Sequence, residues 1–295
     1  MHETCVSIEN YRYIPIMTKY IFIYLLLFLQ CLHSFAGSFR SLSLREGLSS
    51  RQVFQINKDS VGFIWAYTHF GIDRYDGNEI KHYRLDDTVE SKDHILSSTV
   101  MTCDKSGNLW IALKTGKIYT YDYKTDSFLL RIDLSVSTPS AVIYNILLDD
   151  DNRLWICMST GIYSWEEKAG LTFAGLKDRS VTCLIQTDKT TYFAGTDKGV
   201  FQLSKKAASN TFADTPVRLP MEMHIEAMYE FAGELFIGTF SDGVYVVERS
   251  TGQIRSLDAF VPHVPIRTFA KTHDNTLLIG ADGAGVFQMD RNAEK

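Results

Sequence analysis

Three observations predict an all-β chain built from a repeated four-stranded unit. The first is a bulky residue that returns at near-constant spacing. Trp65, Trp110 and Trp155 lie 45 residues apart, and Phe193, Phe236 and Leu278 continue the series at steps of 38, 43 and 42. The second is a turn ahead of each: Asp59-Ser-Val-Gly62, Asp104-Lys-Ser-Gly107, Asp149-Asp-Asp-Asn152, Asp188-Lys-Thr190, Phe231-Ala-Gly233 and His273-Asp-Asn275. The third is a glycine break after each, at Gly71, Gly116, Gly161, Gly199, Gly243 and Gly285. A period near 42 residues with four short strands per unit is the signature of a β-propeller.

The first unit shows the local chemistry. Asp59 to Gly62 is a turn, because Asp accepts hydrogen bonds from its own downstream backbone and Gly tolerates positive φ. Val53 and Ile56 mark a strand before it. Phe63 to Thr68 is apolar, aromatic and β-branched, as a buried strand is. Ile72 to Tyr75 makes a third strand, Asp76-Gly77 reads as a two-residue type I′ hairpin, and Ile80 to Tyr83 makes a fourth.

The units run over residues 47–83, 96–128, 141–173, 181–203, 225–257 and from 266 onward, with a polar linker from Arg84 to His94 after the first. At this repeated mid-strand position, Trp65, Trp110, Trp155, Phe193, Phe236 and Leu278 read as packing between blades rather than as a sugar-stacking platform. Unit six stops after its third strand. Ser38 to Leu44 alternates apolar and polar with no partner in unit one, so it is expected to lie antiparallel beside Gly285 to Met289 and complete that blade. The pairing would satisfy an open sheet edge. A closed ring of six and an incomplete ring of seven both fit the repeats.

Ahead of the repeats, Lys19 precedes the uncharged run Tyr20 to Leu29, and Ser34-Phe-Ala-Gly37 offers small residues for a signal peptidase. The run is shorter than the roughly 20 residues of a membrane span and suits a signal-peptide core. Residues 1–36 are therefore expected to be a signal peptide, with Met17 as the expected true start, and 37–295 the propeller. Gln30 before Cys31 is too bulky for a lipidation site, and an uncleaved anchor is the alternative. The expected location is the periplasm.

A formal charge of −5, with no basic run after Lys19, excludes a nucleic-acid partner. No second apolar stretch is long enough to span a membrane. The eight histidines are scattered, no Cys-x-x-Cys or His-x-His spacing occurs, and no metal or cofactor is expected. Cys103, Cys157 and Cys183 follow the signal. A Cys157–Cys183 bridge is conceivable in an oxidising compartment, against the commoner fate of a small buried hydrophobe.

Gly47-Leu-Ser-Ser50, Val53, Ile56, Asp59, Gly62-Phe-Ile-Trp65, Thr68 and Gly71-Ile-Asp-Arg-Tyr-Asp-Gly77 together resemble the two-component-regulator propeller repeat. The resemblance covers the whole expected mature chain, specifically in units one to three and loosely in four to six. It implies the periplasmic sensor region of a hybrid two-component system, notably of glycan-degrading bacteria. Such proteins carry paired propellers, usually seven-bladed, then a β-sandwich, a membrane helix and a histidine kinase. This chain resembles only their amino-terminal sensor portion, as a truncated or split gene would.

The function expected is non-catalytic binding of an oligosaccharide or another polar small ligand, with a homodimer or second propeller open as partners. The turns between second and third strands are expected to bring Tyr67, His69, Lys114, Ser159, Asp197, Lys198, Asp242 and Asp282 into a ring on one face. Each also reads singly as an ordinary solvated turn residue. The rivals are a protein-interaction scaffold, a non-functional fragment, and a propeller glycosidase or lyase. A glycosidase would need two carboxylates at a set separation, and no nucleophile elbow or phosphate loop occurs.

Overall fold

The computed structural model describes residues 41–85, 100–135, 137–138, 141–206 and 210–290. The expected signal peptide lies outside them, as do residues 38–40 and most of the linker after unit one. The described chain is a six-bladed β-propeller. Blade one holds β1 (Val53–Lys58), β2 (Ile64–Thr68), β3 (Gly71–Tyr75) and β4 (Ile80–Tyr83). Blade two holds β5 (Val100–Cys103), β6 (Leu109–Ala112), β7 (Lys117–Asp122) and β8 (Ser127–Asp133). Blade three holds β9 (Ile143–Leu148), β10 (Leu154–Met158), β11 (Gly161–Glu166) and β12 (Gly170–Gly175). Blade four holds β13 (Val181–Gln186), β14 (Thr191–Thr196), β15 (Gly199–Lys205) and β16 (Phe212–Pro216). Blade five holds β17 (Ile225–Phe231), β18 (Glu234–Thr239), β19 (Val244–Glu248) and β20 (Ile254–Ser256). Blade six holds β21 (Ile266–Lys271), β22 (Leu277–Ala281) and β23 (Gly285–Met289).

Each blade is an antiparallel meander with strands in sequence order. The first strands pack in succession, β1 on β5 and so on to β21, which puts them nearest the axis. Second strands of blades two to five are covered by a blade on either side. This is why β10 is an unbroken buried run, whereas β16 at the rim buries only Phe212.

The core consists of five apolar clusters, one between each pair of successive blades. Met101 of blade two packs into the cluster of Trp65, Tyr67 and Ile72 from blade one. Ile146 meets Ala112 and Ile118, Leu184 meets Trp155 and Ile162, Met228 meets Phe193 and Val200, and Phe269 meets Phe236 and Val244. Two of these contacts require glycine. A Cβ on Gly195 or Gly238 would lie 2.6 Å from Ile225 or Ile266 of the next blade, so the missing side chain lets that isoleucine in.

Between blades six and one the same positions face solvent. Ile56 is 63% exposed, while its counterparts Met101, Ile146, Leu184, Met228 and Phe269 are 8% exposed or less. Val286 is 69% exposed, while its counterparts Ile72, Ile118, Ile162, Val200 and Val244 are at 2% or less. The expected pairing of residues 38–44 with β23 is not formed by their described part. Residues 41–43 are irregular, a turn begins at Leu44, and blade six has three strands among the described residues. Ser43 instead takes part in a local turn, its N–H donating to Glu46 and its carbonyl accepting from Leu48.

The Asp76-Gly77 turn also differs from expectation. Tyr75 pairs with Ile80, so four residues connect β3 and β4, and Asp76 Oδ1 accepts the N–H groups of Asn78 and Glu79 at 2.8 Å. The aspartate side chain closes a longer loop in place of a two-residue turn.

Candidate functional site

One face of the propeller is built from the turns between second and third strands. Thr68, Thr196 and Thr239 end their second strands fully buried, and each hydroxyl donates to the glycine carbonyl across the turn, of Gly71, Gly199 and Gly243. Five of the six turns are also tied to the entry of their own first strand by a backbone bond among the described residues. His69 N–H donates to Gln52, Ser159 to Val142, Asp197 to Ser180, Phe240 to His224 and Asp282 to Pro265. The face is thereby rigid to its loop tips, although the turn residues differ from blade to blade.

Seven of the eight candidate residues lie in these turns. His69 stands edge-on to Phe70, their ring centroids 5.0 Å apart. Ser159 Oγ accepts the Val142 N–H at 3.1 Å. Asp242 takes the hydroxyl of Ser241 and donates its own N–H to Thr239. Asp197 and Lys198 are exposed and Lys114 half-buried, without a side-chain partner among the described residues. Tyr67 departs from the expectation. It sits within β2, 1% exposed, in the cluster between blades one and two. Its position is occupied by Gly195, Gly238 and Gly280 in blades four to six, so Tyr67 fills volume that blades four and five fill from the next first strand.

The turns share a face, and the cross-blade network on it forms at blades five and six around Asp282. Arg267, the bulge residue of β21, donates to Asp282 Oδ2 at 2.8 Å and to Glu226 Oε2 at 3.1 Å, Glu226 being the bulge residue of β17. His224 Nε2 lies 3.4 Å from Glu226 Oε1. The Phe240 ring packs against His224 at 5.8 Å and lies under the Arg267 guanidinium at the same distance. The Asp282 hydrogen bond, with Glu226 adding to it, raises the basicity of Arg267 against the opposing effect of burial. A fixed guanidinium, two carboxylates, an imidazole and an exposed phenyl ring thus share a few ångströms at the mouth of the axis. The sequence reading found Asp282 here and missed the other four. The signal available was the bulge: Phe54, Thr182, Glu226 and Arg267 each follow the first paired residue of their strand.

A second missed feature is structural. Asp59, Asp104 and Asp149 each accept the indole N–H six residues on, at 2.7, 3.4 and 2.9 Å. Tyr123 and Tyr192 of the following blades donate to Asp59 and Asp149, both at 2.8 to 2.9 Å. Where Trp is replaced, the aspartate goes too, giving Thr187, Glu230 and Thr272. Burial pushes the Asp149 carboxyl up, but the Arg153 N–H, the Trp155 indole, the Tyr192 hydroxyl and the Lys205 ammonium outweigh it and hold it below the usual range. Of the six packing residues, Trp65, Trp155, Phe193 and Phe236 are buried. Trp110 and Leu278 are half-buried, because Trp110 borders a cavity and Leu278 faces the exposed end of blade six.

Ser49, Asp73 and His82 form the arrangement closest to a nucleophile with its base. Asp73 Oδ2 accepts from Ser49 Oγ at 2.9 Å, and Asp73 Oδ1 pairs with His82 Nδ1 at 2.7 Å. The carboxylate stands between hydroxyl and imidazole, so the ring is not placed to take the hydroxyl proton. Cys157 and Cys183 are free thiols on neighbouring blades. Burial raises both, Cys183 to about 12, which leaves them unreactive.

No family model matches the sequence, and no curated protein matches it. Solved structures do. The extracellular domain of BT3049 from B. thetaiotaomicron, described as a hybrid two-component system, superposes with a TM-score of 0.68 at 21% identity over 85% of this chain and 35% of its own length. That of BT4673 from the same organism gives 0.64 at 20% identity, over 84% and 33%. Streptogramin B lyase gives 0.66 at 11% identity, over 86% and 83%. The chain spans about a third of the length of the two extracellular domains. The likeness shows the fold: the chain is a β-propeller of the kind found in the extracellular domains of those two-component proteins.

Proposed function

We propose that this propeller is the non-catalytic sensing part of an exported two-component signalling protein, taking a polar ligand of the oligosaccharide type on its second-to-third-strand face. The observation that carries the reading is the network of His224, Glu226, Arg267 and Asp282 with Phe240, which presents alternating donors and acceptors beside an apolar ring on a rigid frame. Hydroxyl groups on a ring need that combination. The likeness to extracellular domains of two-component proteins supports the setting. Calorimetry against a glycan panel, paired with product analysis, tests it. Saturable binding that Arg267→Ala weakens at least tenfold, without new reducing ends, is the expected result. Release of reducing ends would overturn the non-catalytic reading.

A protein-interaction scaffold is the second reading. It is favoured by Phe70 and Phe240, both half exposed or more at turn tips of the same face. A glycan panel without a hit, and a partner lost on Phe240→Ala, would select it.

A further inference from the structure

The opposite face carries a cavity of about 360 Å³ between blades two and three. Trp110 and Trp165 line it, and its polar lining is Asp151, Asn152, Arg153, Glu166 and Glu167. Both indoles are half-buried, unlike Trp65 and Trp155, which are closed off. Two rim groups are fixed beforehand. Arg153 hydrogen-bonds Asn210 of blade four and lies over the Trp155 ring, and the same Asn210 donates to Glu166 Oε1 at 2.7 Å. Others are left open. The Trp165 indole N–H, the Asn152 amide and the Glu167 carboxylate have no side-chain partner among the described residues.

From this cavity we infer a second binding site, for a single hexopyranose ring. A pyranose has an apolar C–H face and an equatorial belt of hydroxyls. Indole rings take the first, and amide, carboxylate and guanidinium groups take the second in bidentate pairs. The volume lies at the low end of small-molecule pockets, which run from roughly 300 to 1,000 Å³. It therefore suits one ring rather than a chain of them. Three carboxylates, Asp151, Glu166 and Glu167, line the cavity with one guanidinium. Asp151 is paired with Lys205 and Glu166 with Asn210, so an organic cation is the rival ligand that the test must separate from a sugar. The site lies at the far end of the blades from the Arg267 network and stands whether or not that network binds a glycan.

Intrinsic fluorescence reads this site directly. Of the four tryptophans, Trp65 and Trp155 are buried, so the ligand-sensitive signal comes from Trp110 and Trp165. The probes are the methyl glycosides of glucose, galactose and mannose. At least one should change the emission saturably in the millimolar range. Trp165→Ala should weaken that response at least tenfold, Glu167→Gln severalfold, and Trp165→Phe should retain it, with melting temperatures confirming that each variant is folded. No saturable response to any of the three glycosides would overturn the inference. So would an unchanged affinity in folded Trp165→Ala, or a response to tetramethylammonium in place of the sugars.

Discussion

At the scale of the residue, one carboxylate does in each early blade what the sequence assigned to packing alone. Asp149 caps its turn through one oxygen and holds Trp155 and Tyr192 through the other. Trp155→Ala and Trp65→Ala should each lower the unfolding free energy by about 3–5 kcal/mol. Trp110→Ala should cost less than either, because that ring is half-buried over a cavity. Chemical denaturation measures all three. Asp149→Asn keeps the shape but removes the charge, and should cost about 1–3 kcal/mol. The same group sets an acid limit. Its folded pKa lies below that of the unfolded chain, so its stabilisation is complete above the unfolded value of roughly 4. It drains away as pH falls through the lower folded value. A melting-temperature series from pH 6 to pH 3 should fall more steeply for the parent than for Asp149→Asn. The indole positions were legible because large apolar groups recur with the period. The aspartate was visible in the same alignment, six residues earlier, but a turn explained it well enough to hide its second role.

At the scale of the element, the same strand position has opposite meaning in different blades. Val244 and Val286 occupy equivalent places in β19 and β23, one sealed and one in water. Val244→Asp should therefore abolish cooperative unfolding, since it buries a charge without a partner. Val286→Asp should stay within about 0.5 kcal/mol of the parent. A matched loss in both variants would mean that β23 is covered in solution. Strand identity and order were largely legible, because alternation and turn chemistry are local. The exception is blade four, whose fourth strand β16 (Phe212–Pro216) lies beyond the expected end of the unit at 203. The failures were contacts that local pattern does not encode. The bulge that aims Glu226 and Arg267 at each other depends on the register of two separate blades. The burial of Tyr67 depends on what the neighbouring blade brings to it.

At the scale of the whole molecule, repetition made the fold readable and concealed the site. Every blade places a second-to-third-strand turn on that face, though of differing length, so the sequence offered a ring of candidates, yet the described ion-pair network on that face joins blades five and six. Electrostatic partners across blades lie about 41 residues apart in Glu226 and Arg267, a separation that no local window spans. Export belongs to this scale as well. Mass spectrometry of periplasmic protein should find a chain that has lost about its first 36 residues. An intact amino terminus in a cytoplasmic fraction would remove the periplasmic setting on which the sensor reading depends.

The solvent-facing sides of blades one and six also bear on how the molecule opens. An internal blade is clamped on two flanks, a terminal one on a single flank, and stability in such arrays is close to a sum of neighbour terms. Amide protons should therefore exchange in order of distance from the two ends, fastest in β1 to β4 and β21 to β23, slowest in β10 and β14. The propeller would then behave less as a wheel than as a short stack of plates, shedding its outermost members first and keeping blades three and four to the last.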